Sequence, residues 1–143
     1  MTEIRSFRPE DEDAVVALWQ ACGLTRPWND PRRDIARKQS VQADGFLVAT
    51  SGRDVVGTVM AGYDGHRGWV NYLAVAPSRR RGGLGRRLMD EAEARLLAYG
   101  CPKLNLQIRV DNSTAIGFYE AIGYRVDEVV SMGKRLIADD AAS

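Results

Sequence analysis

The amino-acid sequence predicts one α/β domain with a mixed, largely antiparallel sheet of six or seven strands and helices on both faces. Two hydrophobic periods and one crossover carry this reading. Leu104, Leu106, Ile108 and Val110 alternate with Asn105, Gln107 and Arg109, the clearest strand pattern in the chain. Leu84, Leu88, Ala92 and Leu96 instead recur every fourth residue, with Met89 and Leu97 widening the stripe, as in a helix with one apolar face. That helix separates the strand at Leu104 from an earlier one at Trp69 to Val75, and a strand, helix, strand unit favours parallel pairing with a right-handed crossover. The 143 residues, 45% of them hydrophobic, suffice for one core, and no internal repeat or linker divides them.

The remaining elements follow in order. Ile4 and Phe7 mark a short edge strand ending near Arg8. Pro9 and the acidic run Glu10 to Asp13 then open a helix, because carboxylates favour the positive end of the helix dipole. Ala14, Val15, Leu18, Trp19 and Cys22 form its buried stripe, and Gly23 stops it. Thr25 to Pro31 is too rich in proline for regular structure and leads to a short basic helix from about Asp34 to Ser40. Phe46 to Ala49 and Val55 to Tyr63 flank the turn Ser51-Gly52-Arg53-Asp54 and predict an antiparallel hairpin. Asp64 to Gly68 connects onward to the central strand, Trp69 to Val75, which Pro77 ends. Asp111, Asn112 and Ser113 offer caps for a helix with apolar positions Ala115, Phe118, Tyr119 and Ile122, closed by Gly123. Gly117 is out of place there, where glycine costs about 1 kcal/mol against alanine, and implies that a neighbour or ligand approaches the backbone. Tyr124 to Val130 and Gly133 to Ile137 predict two closing strands, with Ala138 to Ser143 fraying.

Composition excludes several classes. Twenty basic residues against 19 acidic ones give no global attraction to nucleic acid. Cys22 and Cys101 lack the spacing of a metal or redox motif, so no metal site and two free thiols are expected. No apolar run has the length of a membrane span, and acidic and polar residues stand where a signal peptide needs a hydrophobic segment. A cytoplasmic protein without a membrane partner is expected. Its oligomeric state is left open, a homodimer included.

The least ordinary stretch lies between the central strand and the following helix: Arg79, Arg80, Arg81, Gly82, Gly83, Leu84, Gly85 and Arg86. Glycine lets backbone N–H groups approach a ligand, the first turn of a helix has N–H groups without internal partners, and the dipole adds positive potential. Arginine adds charge and forked donors suited to phosphate. Physically this is an anion site, against the plainer reading of a solvated basic turn. The segment lacks the Lys-Ser/Thr ending of a nucleotide P-loop, and Leu88 stands where the dinucleotide fingerprint needs its third glycine.

Arg80-Arg81-Gly82-Gly83-Leu84-Gly85, preceded by Leu73-Ala74-Val75-Ala76-Pro77, resembles the acyl-CoA-binding motif of the GCN5-related N-acetyltransferase (GNAT) superfamily. In length and element order the chain looks most like its small bacterial YpeA-like acetyltransferases. The resemblance implies a single N-acetyltransferase domain with acetyl-CoA as co-substrate, its pyrophosphate on the N–H groups from Arg81 to Arg86 and its pantetheine paired with the strand at Leu73 to Val75. Asn112 to Tyr124 resembles a second segment of that superfamily, which implies that Asn112 contacts the cofactor and Tyr119 stands near the thioester sulfur. A neutral phenol, with a reference pKa of about 10, keeps its proton at neutral pH and can serve a departing thiolate. Many relatives carry a glutamate base in the central strand; Trp69 to Leu73 contains none.

His66 has a reference pKa of about 6.5 and is the candidate base, with Asp64 to orient it or to bind an ammonium; the alternative is a hydrated hairpin turn. Trp28 is either a lid over the acceptor or a plug beneath its loop, and Tyr72 completes the candidate acceptor residues. Direct transfer to an amine on a small molecule, peptide or protein is preferred to a covalent acyl-enzyme, because neither cysteine lies in the central strand or beside the glycine turn. A catalytically quiet acyl-CoA-binding module and a nucleic-acid-binding protein are the competing classes, the latter resting only on Arg79, Arg80 and Arg81.

Overall fold

The computed structural model describes residues 1–139. Its sheet has five strands in chain order: β1 (Thr2–Ser6), β2 (Phe46–Ser51), β3 (Asp54–Tyr63), β4 (Gly68–Val75) and β5 (Leu104–Asn105). The first four pair antiparallel, and β5 joins β4 in parallel after the crossover predicted from the sequence. Helices α1 (Glu12–Ala21) and α2 (Pro31–Gln39) cover one face, and α3 (Leu84–Ala98) with α4 (Ser113–Ala121) covers the other.

Alternation along the strands divides the core. In β2, Phe46 and Val48 face α1 while Leu47 and Ala49 face α3. Trp19, Ile35, Phe46, Leu88 and Met89 are fully enclosed, each contributing about 1.5–3 kcal/mol by leaving water. Gly68 lets β4 pass under α3, since a Cβ there would lie 2.7 Å from Cys101 Sγ and 2.9 Å from Leu96 Cδ1.

The alternation breaks in β4. Val70 faces α3, yet Ala74, four residues later and so of the same parity, faces α1. Between them the register with β3 slips: Met60 pairs with Asn71, Thr58 pairs with Ala74, and Val59 alone opposes Tyr72 and Leu73. Tyr72 takes the extra residue's conformation at φ +54, a strained value for a side-chain-bearing residue. Its surroundings hold it there. Its ring stacks on Trp19 at 3.8 Å, its carbonyl accepts the Thr58 hydroxyl at 2.8 Å, and Thr58 Oγ1 accepts Trp19 Nε1–H at 2.9 Å.

Several expectations need correction. The sheet has five strands rather than six or seven, and only Leu104–Asn105 of the pattern Leu104 to Val110 forms a ladder. The expected strands Tyr124 to Val130 and Gly133 to Ile137 have no ladder partner among the described residues. A strand register is set by a buried face, and this segment has none: Val126, Val129, Val130, Met132 and Leu136 are all exposed. Side chains join the two segments instead, through Lys103 Nζ to Asp127 at 2.8 Å and Gln107 Nε2 to Ser131 at 2.5 Å. The basic helix starts at Pro31 rather than Asp34, because the Asp30 carboxylate accepts the N–H groups of Arg32 and Arg33 and proline fits the first helical position. Of the tail expected to fray, Asp139 is buried and anchored, whereas 140–143 lie outside the described residues.

Thr58→Val should therefore destabilise the fold by about 1–3 kcal/mol, because the isosteric change strands both a buried indole N–H and the Tyr72 carbonyl. Urea denaturation should show a lower midpoint with an unchanged slope; an unchanged midpoint would show that these bonds do not support the bulge.

Candidate active site

The glycine turn lies where β4 ends and α3 begins. Pro77–Arg79 forms a single 3-10 turn, Arg80 is extended, Arg81 takes φ +70 and Gly83 takes φ +80 immediately before helical Leu84. Neighbouring residues of opposite hand turn successive N–H groups to one side, the geometry of a backbone anion nest. Gly83 has no side chain with which to cap α3, so the N–H groups of Leu84, Gly85 and Arg86 keep their donors for a ligand. No atom lies within 4 Å of the place a Gly83 Cβ would occupy, so the hollow is open. Gly85 is small for a different reason: its Cβ would come 3.2 Å from the Phe118 ring of α4.

Five arginines fall along the turn and the start of α3: Arg79, Arg80, Arg81, Arg86 and Arg87, of which Arg87 reaches away to the Thr2 carbonyl of β1 at 3.2 Å. Among the described residues none of them meets a carboxylate within 4.0 Å, whereas Arg5, Arg32, Arg33, Arg37 and Arg135 all do. The only partners they find are neutral oxygens, as in Arg79 to Ser51 Oγ at 2.9 Å and Arg80 Nε to Val75 O at 3.4 Å.

Beside the turn, β4 has a free edge. β5 pairs with it only at Gly68 and Trp69, so from Val70 onward the side away from β3 has no ladder partner among the described residues. Ala76 N–H donates to Val56 O at 2.8 Å, toward β3, and strand alternation then turns Leu73 and Val75 to the free edge. The Val75 carbonyl is taken there by Arg80 and by the thiol of Cys22 at 3.4 Å. The expectation that neither cysteine lies in the central strand or beside the glycine turn therefore holds for the strand but not for the turn, since Cys22 shares the Val75 carbonyl with Arg80. Cys22 closes the C-terminus of α1, and only the packing of α1 on the sheet brings it here. The thiol is engaged as a donor to a carbonyl, and His66, the chain's single histidine, stands elsewhere.

Helix α4 brings the second predicted group alongside. Asn112 caps it, its Oδ1 accepting Ala115 N–H at 3.1 Å, which leaves the amide NH2 to donate outward. Tyr119 packs edge-on between Phe118 and Tyr124, with centroids at 5.0 and 5.7 Å. Burial pushes its phenol up to about 12, so it stays protonated throughout the physiological range. No protein atom approaches Gly117 within 4 Å of where a Cβ would stand, so no neighbour explains that glycine.

The remaining candidates separate into two groups. Tyr72 donates its hydroxyl to Asp34 at 2.7 Å; Asp34 in turn accepts Arg37 at 2.9 Å, and Arg37 grips Asp139 with both nitrogens, at 2.6 and 3.1 Å. Trp28 is half-exposed and lines a cleft with Arg37 and the segment Gly133 to Ile137, so it does not plug the core. Asp34, Arg37 and Asp139 carried no signal in the sequence; only the fold joins an α2 turn to the end of the chain. His66 and Asp64 lie apart from all of these, in the turn before β4. Asp64 Oδ1 accepts the N–H groups of His66 and Arg67 at 2.8 Å, which holds its carboxyl below the usual range and closes the hairpin. From that turn to the glycine turn is the full length of the eight-residue β4, about 23 Å at ~3.3 Å per residue.

The sequence profile of the acetyltransferase (GNAT) family matches residues 10–124, spanning β2 to β5 and all four helices from just before α1. The chain belongs to that family. Solved structures agree. Ard1 from Thermoplasma volcanium is 28% identical, with a TM-score of 0.77 over 88% of this chain and 84% of its own. Chaetomium thermophilum Naa20, solved with a bisubstrate analogue, is 26% identical, with a TM-score of 0.70 over 87% of this chain and 71% of its own. The ribosomal-protein-S18-alanine N-acetyltransferase of Escherichia coli shares the fold at 22% identity, with a TM-score of 0.71 over 86% and 77%. This GNAT protein is an acetyl-CoA-dependent N-acetyltransferase. These likenesses carry the family and stop short of the narrower YpeA-like group.

Gly83→Val should weaken acetyl-CoA binding at least tenfold, by about 1.4 kcal/mol or more, because it strains a φ of +80 and fills the open hollow. Calorimetry of the folded variant checks this, and unchanged affinity would remove the turn from the site.

The Asp139 carboxyl is held well below its usual 3.8, first by the hydrogen bonds from Arg37 and then by Asp30 N–H. A depressed folded-state pKa adds stability that is fully present above the unfolded value and lost as pH falls through the folded one. Wild type should therefore lose stability below about pH 4 more steeply than Asp139→Asn, as read from urea midpoints between about pH 5 and 2.

Proposed function

We propose that this N-acetyltransferase moves an acetyl group directly from acetyl-CoA to a primary amine within a ternary complex. The observation that carries the reading is the coincidence of three features at one end of β4: open space over the Gly83 backbone, the guanidiniums of Arg79, Arg80 and Arg81 without carboxylates, and a strand edge without a ladder among the described residues. A pyrophosphate needs the first two, and an amide-bearing pantetheine arm needs the third.

Acetyl-CoA supplies the activated acetyl thioester. The N–H groups from Arg81 to Arg86, with Arg80, hold the diphosphate, and Leu73 and Val75 present backbone groups to the pantetheine amides. A β4 backbone N–H polarises the thioester carbonyl and stabilises the charge that develops on its oxygen. The amine nitrogen forms the new C–N bond as the C–S bond breaks. The Tyr119 phenol donates to the departing sulfur and regains its proton from solvent, while the proton lost by the amine passes to water. His66 and Asp64 serve the hairpin turn in this scheme, because the Asp64 carboxylate is committed to the backbone N–H groups of His66 and Arg67. Asn112 positions the cofactor through its free amide hydrogens.

A covalent acyl-Cys22 intermediate is the second reading, favoured only by the thiol's place at the Val75 carbonyl. Direct transfer is preferred because no histidine accompanies that thiol to activate it.

Tyr119→Phe keeps the ring between Phe118 and Tyr124 but removes the donor. Turnover with a screened amine should fall about 100- to 10,000-fold with little change in acetyl-CoA affinity, because the lost interaction belongs to the transition state. Equal single-turnover rates for wild type and a well-folded variant would rule out the role.

A further inference from the structure

The cleft beside Trp28 is a second built feature, distinct from the glycine turn. Its volume is about 600 Å3, and its walls include Trp28, Arg37, Lys134, Arg135, Leu136 and Ile137. Three of these are cations and none is an acid. We propose that this cleft binds the acceptor, and that the acceptor carries an anionic group, carboxylate or phosphate, in addition to its amine. The proposal rests on the acetyl-transfer reading above and names the substrate class for it.

The charges are set in place. Asp139 has a side chain with no exposure to solvent, and Arg37 at 2.6 Å, Arg33 at 3.8 Å and Arg135 at 4.0 Å converge on it. Arg135 also donates to Asn29 of the loop that carries Trp28. One buried carboxylate thus orders three guanidiniums, and with Asp34 and Asp30 the acids match Arg33, Arg37 and Arg135 one for one, so the uncompensated positive charge at the cleft is that of Lys134 and Arg109. Lys134 and Arg109 meet no carboxylate within 4.0 Å among the described residues, and Arg109 lies over the Trp28 ring at 6.0 Å from its centroid. The apolar wall of Trp28, Leu136 and Ile137 gives a non-polar body somewhere to lie while its anion meets the cations.

The cleft is also connected to the reaction centre. Arg37 reaches Tyr72 of the β4 bulge through Asp34 alone, and Arg109 precedes by three residues the Asn112 cap of the helix that bears Tyr119. A free amine arrives mostly as an ammonium, which this cleft repels. An added anion cancels that charge, favours encounter and excludes polycations such as polyamines and aminoglycosides.

The test uses matched acceptors: phosphoethanolamine against ethanolamine, and an aspartyl peptide against its asparaginyl counterpart, with spermidine as the polycation. The anionic member of at least one pair should show kcat/KM about tenfold or more higher, with the gap shrinking at about 1 M salt, where the Debye length is about 3 Å. The two pairs separate phosphate from carboxylate. Lys134→Gln and Arg109→Gln should raise KM for the anionic acceptor and leave kcat and the KM of acetyl-CoA in place. Equal use of both members, or spermidine as the best acceptor, overturns the proposal. Calorimetric titration of the same pairs in the presence of CoA decides charge preference without turnover. Anion-selective binding with no acetyl transfer would sink the transfer reading alone, whereas binding without selectivity sinks this one.

Discussion

The constraint on which the rest depends is that backbone donors and acceptors at an unpaired strand edge must find partners. In this protein β4 meets it on one side with β3 along its length and on the other with β5 for two residue pairs only. Beyond that point the chain of β5 leaves the sheet, and a row of backbone groups along the edge of β4 is left for water, for side chains or for a ligand. Arg80 and Cys22 answer for one carbonyl. An extended, amide-containing molecule would satisfy the others, and the anion-attracting turn at the strand's end fixes the direction in which such a molecule lies. In the proposed arrangement cofactor recognition falls on backbone geometry, and few side chains at this site are irreplaceable for it.

The proposed acceptor cleft is built differently, from charged side chains fixed by a buried carboxylate. Its parts come from three places: the loop after α1, the exposed face of α2 and the end of the described chain. This division suits an enzyme family that keeps one donor and varies its acceptors, since loop and terminal residues can change without disturbing β4. It also answers the competing classes. Arginines dispersed over a surface would suit nucleic acid, but here Arg79, Arg80 and Arg81 adjoin a glycine turn beside a free strand edge, and the family and its N-acetyltransferase neighbours favour turnover over a silent binding module.

Much of the fold was legible in the sequence because burial dictates period. The stripes of α1 and α3, the hairpin of β2 and β3 and the parallel crossover to β5 each follow from one buried face, although Ala14 and Leu97, expected in the stripes, are exposed and Val16 is buried instead. The closing strands were misread for the same physical reason: Val126, Val129 and Val130 have strand propensity but no buried face to align it. In the site, the glycine turn announced itself because glycine and arginine are costly or unusual where no ligand uses them. Tyr119 could not be told from a core aromatic by spacing alone and needed the family pattern. Asp34, Arg37 and Asp139 are ordinary surface residue types, distant along the chain, and only tertiary structure gives them meaning. The same holds for Cys22, whose thiol reaches the central strand from the far end of α1.

The slip at Tyr72 works like a change of phase in a two-stroke pattern. Before it, even-numbered residues of β4 look toward α3; after it they look toward α1, and Leu73 and Val75 inherit the opposite assignment. Deleting one residue there would not merely flatten a kink. It would restore the earlier phase and turn the last third of the strand inside out, sending Ala74 into the wrong layer and rotating the free edge away from the glycine turn. Glycine at position 72 would relieve the strain at φ +54 and keep the bulge, whereas removing the bulge itself shifts the register of everything after it. A β4 one residue shorter would have to repack both layers over its last third together.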